Sequence, residues 1–167
     1  FKQALAHSCN VTFAEITLEI GGATLQKYAD KAGFNSSHKV NGISTSAGKV
    51  DVSNAKGGDL AWAGIGQYSN TANPLSFMTY VGAIGNDGIK VTPSIIKDSN
   101  VILSLLPDIV PEGDRIITQE TAASLGAMMR NNTIEVYGEK NFKGLELCAK
   151  TETIMAHTEM IITGCIL

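Results

Sequence analysis

The chain has 167 residues, of which 44% are hydrophobic and 17% charged, with a formal net charge of −3. That length suits one domain able to bury a core, and the composition argues against intrinsic disorder, a repeat architecture and the basic footprint of a nucleic-acid binder. No apolar run approaches the roughly 18 residues of a membrane span, and the opening on Phe1 rather than Met marks the chain as an expected piece of a longer protein.

In chain order, residues 11–20 carry apolar side chains at 11, 13, 14, 16, 18 and 20 and read as a largely buried helix closed by Gly21-Gly22. Residues 24–31 read as a second helix, with Leu25, Tyr28, Ala29 and Ala32 on one face and Gly33 as its C-terminal cap. Between Asn35 and Gly58 lie six Ser or Thr and four Gly, which predicts a long loop, functional or mobile, holding one short hairpin. Within it, Gly42 to Lys49 imitates a phosphate-binding loop. Five residues separate Gly42 from Gly48, and Val50 stands where Ser or Thr is required, so no nucleotide site is expected.

Asn73-Pro74 predicts a helix entry, with Asn73 as N-cap and the helix running to about Asn86 before Asp87-Gly88. Gly82 and Gly85 share one of its faces, where small residues would let a neighbour pack closely. Residues 94–97 and 101–106 read as short extended pieces. A helix follows over 118–130, capped by Thr118, with Leu125, Met128 and Met129 as its core face and Asn131-Asn132 as its end. Residues 137–144 form a polar, turn-rich connection. The chain closes on two β-prone runs, 145–153 and 160–167, joined by a turn near 156–158 into a hairpin. In the first of these strands, side-chain alternation sends Lys150 and Glu152 to one face and Thr151 and Thr153 to the other. The cysteines Cys9, Cys148 and Cys165 show no Cys-x-x-Cys spacing and, with only His7, His38 and His157 beside them, predict neither a closed disulfide set nor a metal site.

Ser8-Cys9-Asn10 and Lys150-Thr151 stand in the order of the Ser-x-Asn and Lys-Thr-Gly motifs of penicillin-binding proteins and class A β-lactamases. The flanks Ala4-Leu5-Ala6-His7 and Val11-Thr12-Phe13-Ala14 agree. So do Gly64-Ile65-Gly66-Gln67, Asn73-Pro74-Leu75-Ser76-Phe77-Met78 and Ala83-Ile84-Gly85-Asn86-Asp87-Gly88 with Pro93. Through these motifs the chain resembles a penicillin-binding protein transpeptidase domain over most of its length. The resemblance implies an α/β (α+β) fold of the serine β-lactamase/transpeptidase kind. Residues 1–167 would form one partial domain, with a mainly helical region over 1–144, including the loop 35–58, and a β-hairpin over 145–167.

It also implies D,D-transpeptidase chemistry: a serine attacks the D-Ala-D-Ala carbonyl of a peptidoglycan stem, and a second stem's amine resolves the acyl-serine, with no cofactor. Ser8 would relay a proton and Asn10 would hydrogen-bond the substrate's side-chain amide. Lys150 would supply positive potential, Thr151 and Thr153 would bind the terminal carboxylate of a stem or a β-lactam, and the Thr153 N–H would form half of the oxyanion hole. The full-length protein is expected outside the cytoplasmic membrane and anchored to it.

The resemblance breaks at two points. Ser followed three residues later by Lys occurs only after Ser8, as at Ser46 and Ser53 in the Gly/Ser loop, and nowhere before it, so the attacking serine is expected upstream of Phe1. Glu152 replaces the motif's glycine, which brings bulk and negative charge beside a carboxylate site. Other classes therefore stay open: a catalytically inactive penicillin-binding-like domain that serves structure or binding, or a related D,D-carboxypeptidase or β-lactamase. A two-stranded remnant of a larger sheet is also expected to self-associate or to be complemented by a missing segment.

Overall fold

Glycines and side-chain caps set most of the element boundaries. In the structure, a computed structural model, residues 1–93, 113–154 and 160–166 are described, with 152–154 and 160–166 described through their backbone alone. The chain begins with α1 (Lys2–Ala6), α2 (Asn10–Ile20) and α3 (Gly22–Ala32). Gly21, at φ 80°, separates the last two. Gly33, at φ 88°, takes the left-handed conformation that ends α3, as its place after the apolar face predicts. Ala29 and Ala32 are buried, but Tyr28 is 54% exposed. It sits at the border of the apolar face, where a long aromatic ring can lie on the surface with its hydroxyl in water.

The loop contains the expected hairpin. Strands β1 (Lys39–Val40) and β2 (Ile43–Ser44) pair with Val40 opposite Ile43. Asn41 and Gly42 turn between them at φ 47° and 90°, the positive values that a tight two-residue hairpin needs. The rest of the loop is tied down by amide side chains. Asn35 exchanges two hydrogen bonds with the Val50 backbone, at 2.9 and 2.6 Å. Gln26 donates to the Val50 carbonyl and accepts from the Val52 N–H, both at 2.8 Å. Val52 ends fully buried.

The loop also stops earlier than its composition suggests. A helix the sequence pattern did not predict, α4 (Gly57–Gly64), starts at its glycine pair and packs on α2, with Leu60 and Ala63 buried. That tertiary contact overrides the poor local propensity of Gly57-Gly58.

Helix α5 (Pro74–Gly85) begins as predicted, with the Asn73 side chain accepting from the Leu75 N–H at 2.8 Å and Pro74 in the first turn. Its Ser76, Thr79, Val81, Ala83 and Ile84 are buried. Gly82 instead faces outward, with open space where a Cβ would stand, which corrects the expectation of close packing at that position, and Gly85 is exposed. The tight approach lies at Gly64, where an added Cβ would come within 2.0 Å of Thr17 Oγ1 and 2.4 Å of Thr17 Cβ.

A short antiparallel pair, β3 (Ile89–Lys90) with β4 (Asp114–Arg115), follows α5. The expected pieces at 94–97 and 101–106, and the turn near 156–158, fall outside the described residues. Helix α6 (Gln119–Asn132) is capped by Thr118, whose hydroxyl accepts from the Thr121 N–H at 3.1 Å. Met129 is buried on its core face. Beyond Asn132 the chain keeps coiling, through a wide π-type turn (Thr133–Tyr137) and a 3₁₀ turn (Glu139–Phe142). Strands β5 (Cys148–Ile154) and β6 (Met160–Ile166) then pair antiparallel, with Lys150 opposite Gly164 and Thr151 opposite Thr163. Strand β5 starts three residues later than the apolar run predicts.

Helix α6 lies along β5, and α1 and α5 pack on α6. The architecture is thus a helical region packed against a hairpin, α6 on β5 and α5 on β6. Two substitutions test this account of the glycines. Gly64→Ala should cost about 1–3 kcal/mol by driving a methyl into Thr17, and Gly82→Ala should add about 1 kcal/mol in an exposed helix interior. Urea denaturation of both variants should therefore move the midpoint in opposite directions.

Candidate active site

The hairpin and the start of the chain meet at one contact. Helix α1 ends at Ala6 with His7 as its C-cap, and Ser8 follows in the left-handed region at φ 51°, uncommon for a residue with a side chain. The turn is held by Ser8 N–H to the Leu5 carbonyl at 3.3 Å and Cys9 N–H to the Ala4 carbonyl at 2.9 Å. Asn10 is the first residue of α2. From the other end of the chain, Lys150 Nζ on β5 donates to Ser8 Oγ at 2.6 Å, and also to the carbonyl of Thr151.

Ser8, Asn10 and Lys150 line a cavity of about 270 Å³. Leu5, Phe13 and Phe77 supply its apolar wall, and Gly64-Ile65-Gly66 closes one side. An amino group beside a hydroxyl in a half-apolar cleft can hold an anion and pass a proton. Ser46 and Ser53 are not among the lining residues.

The residues expected to bind a carboxylate part company. Thr151 turns away from Lys150, as strand alternation requires. Its backbone N–H donates to Tyr137 Oη at 2.6 Å, while Tyr137 O–H donates to Thr151 Oγ1 at 2.8 Å. Thr153 lies opposite Ile161 in the ladder, and its side chain, like that of Glu152, falls outside the described residues.

Three side chains that no sequence motif marks cover the outer edge of β5. Asn132, fully buried, donates to the Ala149 carbonyl at 2.8 Å. Arg130 donates to the Leu147 carbonyl at 3.4 Å and forms an ion pair with Glu139, and Tyr137 takes the Thr151 amide. The backbone groups of 149 and 151 therefore face this edge. In an antiparallel ladder those of 153 face it too.

Cys9 sits between Ser8 and Asn10. The Thr12 hydroxyl donates to its Sγ at 3.2 Å, and hydrogen bonds from Thr12 hold the thiol below its ordinary pKa range. Among the described residues no cluster of His, Cys, Asp and Glu could hold a metal, and no helix is long and apolar enough to cross a membrane.

Comparison with known proteins identifies the family and the fold. The model of the penicillin-binding protein transpeptidase domain matches residues 1–155. This chain belongs to that family. The peptidoglycan D,D-transpeptidase PbpA of Mycolicibacterium smegmatis is 25% identical over 158 residues, which is 91% of this chain and 31% of PbpA. The chain thus spans about a third of the length of that relative.

The fold is that of solved transpeptidase domains. The D,D-transpeptidase domain of the peptidoglycan glycosyltransferase from Eggerthella lenta superposes with TM-score 0.78 at 18% identity, over 98% of this chain and 44% of that one. PBPA from Mycobacterium tuberculosis superposes with TM-score 0.78 at 21% identity, over 94% and 38%. The expected α/β (α+β) class is therefore observed.

Because Thr12 favours the thiolate, the alkylation of Cys9 should reach half its maximal rate at a lower pH than an ordinary thiol, and Thr12→Val should move that midpoint up. Iodoacetamide labelling across pH, read at the Cys9 peptide by mass spectrometry, measures both. An unchanged midpoint in Thr12→Val would remove the hydrogen bond as the cause.

Proposed function

We propose that this chain forms walls of a penicillin-binding D,D-transpeptidase site that crosslinks peptidoglycan stem peptides. The observation that carries the reading is Lys150 Nζ on Ser8 Oγ at 2.6 Å. It joins two family motifs 142 residues apart at one cavity, with Asn10 beside them.

In this reading the attacking serine is one that the whole protein brings to the cavity. Its oxygen bonds to the carbonyl carbon of the penultimate D-Ala as its proton passes to the lysine of its own Ser-x-x-Lys motif, and the C–N bond to the terminal D-Ala breaks. Ser8, polarised by Lys150, relays that proton to the departing amine. The amine of a second stem then attacks the acyl-serine, gives its proton back through the same hydroxyl and releases the serine. Asn10 holds the stem's side-chain amide. Thr151 and Thr153 take the terminal carboxylate, with Lys150 supplying positive potential. The Thr153 N–H, on the outer edge of β5, serves the oxyanion. A β-lactam acylates the same serine. The stem peptide lies in the cell wall, so the reading puts the domain outside the cytoplasmic membrane, anchored through the rest of the protein.

Glu152, in place of the motif's glycine, favours a second reading: a penicillin-binding-like domain without catalysis. Incubating the full-length protein with a penicillin and reading intact mass separates the two. The first reading expects one adduct on a serine outside residues 1–167, and an adduct on any serine within them overturns its account of the nucleophile. Lys150→Ala should slow its formation about 100-fold, the usual worth of a positioned proton-transfer group. A folded protein that gains no adduct would leave the non-catalytic reading standing.

A further inference from the structure

Tyr137 meets Thr151 through both functions of its hydroxyl. Its oxygen accepts the Thr151 backbone N–H at 2.6 Å, and its proton goes to Thr151 Oγ1 at 2.8 Å. A phenol has one proton to give. With that proton committed to Oγ1, the hydroxyl proton of Thr151 takes no part in the cycle and is left to donate to a third group. The bonds run in one sense, N–H to O–H to O–H, and each strengthens the next as a donor. The third group such a donor suits is an anion.

The position of Tyr137 is itself fixed. It ends the π-type turn that begins at the fully buried Thr133, directly after Asn132 bonds to the Ala149 carbonyl. Asn141 holds its carbonyl at 2.7 Å from the far side, across Gly138 at φ 76°. Rungs at Leu147, Ala149 and Thr151 thus bring the phenol to one place on the strand.

We infer that Tyr137 is a positioning residue that holds the Thr151 side chain as a hydrogen-bond donor for the carboxylate of the stem peptide or β-lactam. The inference rests on the transpeptidase reading for the identity of the carboxylate, and on the geometry alone for the hold on Thr151. Tyr137 does not touch the substrate in this role. It acts through Thr151, so it should govern binding more than the chemical step.

Tyr137→Phe keeps the ring and removes the hydroxyl. In the full-length protein, amide hydrogen exchange at Thr151 should quicken about tenfold or more, as expected when a single hydrogen bond is lost. Acylation by benzylpenicillin should show an apparent dissociation constant raised about tenfold with the limiting acylation rate unchanged, because a bond to a charged ligand is weakened. Thr151→Val should raise that constant similarly, and adding Tyr137→Phe to it should raise it no further. Unchanged exchange at Thr151, a loss in the limiting rate alone, or additive effects in the double variant would each overturn the inference. If the wild-type protein is not acylated, the transpeptidase reading falls. Thr151 exchange then decides whether Tyr137 holds the strand, and unchanged exchange overturns that as well.

Discussion

A strand paired on one side only presents a row of N–H and C=O groups on the other, and those groups must find partners. On β5 they find side chains. Arg130, Asn132 and Tyr137 meet Leu147, Ala149 and Thr151 in turn, where another protein would lay down a neighbouring strand. A second strand would close the edge to any ligand. Side chains satisfy it group by group, and the next position whose backbone groups turn to this edge is Thr153, the one that the transpeptidase reading assigns to the substrate. The buried end of α6, the wide turn after it and the polar 3₁₀ segment all follow from this need, since an ordinary helix end would not carry residue 137 back to the strand.

The contact between Lys150 and Ser8 depends on that edge. Lys150 reaches α1 because β5 is held at a fixed depth by α6, and α1 packs on α6 as well. Ser8 in turn owes its direction to a left-handed turn that costs about 1 kcal/mol in a residue with a Cβ. Such strain persists where the surroundings over-determine it. Here they do so through the bonds to Leu5 and Ala4 before it and α2 after it. Both partners of the contact are thus held from behind, which suits the proton relay proposed for Ser8.

How much of this the sequence discloses depends on how local the cause is. Asn73-Pro74, Thr118, Gly33 and Asn41-Gly42 act within a few residues, so the helices, caps and hairpin they specify were readable. The Ser8 and Lys150 contact was readable only through a family resemblance, because no spacing rule links residues 142 apart. Helix α4 was not readable, since its glycine-rich start is overruled by packing against α2. The outward face of Gly82 was equally hidden: periodicity says which residues share a face, not what stands opposite. Tyr137 carries no signal at all. A tyrosine in a polar stretch looks like many others until the wide turn brings it to Thr151.

The same geometry bears on Glu152. Positions 149 and 151 turn their backbone groups to the outer edge, so position 152 turns its own toward β6 and pairs with Ile162 in regular register. A glycine there is not demanded by the ladder, and a glutamate has ordinary extended backbone to occupy. Its consequence therefore falls on the ligand side. Positions 150 and 152 share a face of the strand and lie about 7 Å apart along it. That is within the distance over which salt leaves charges unscreened. In the transpeptidase reading, a glutamate two residues from Lys150 brings a negative charge that weakens the positive potential offered to an incoming anion. In the transpeptidase reading the burden of holding that anion then shifts to neutral donors, and among the described residues Thr151, whose oxygen accepts from Tyr137, keeps a hydroxyl proton to give.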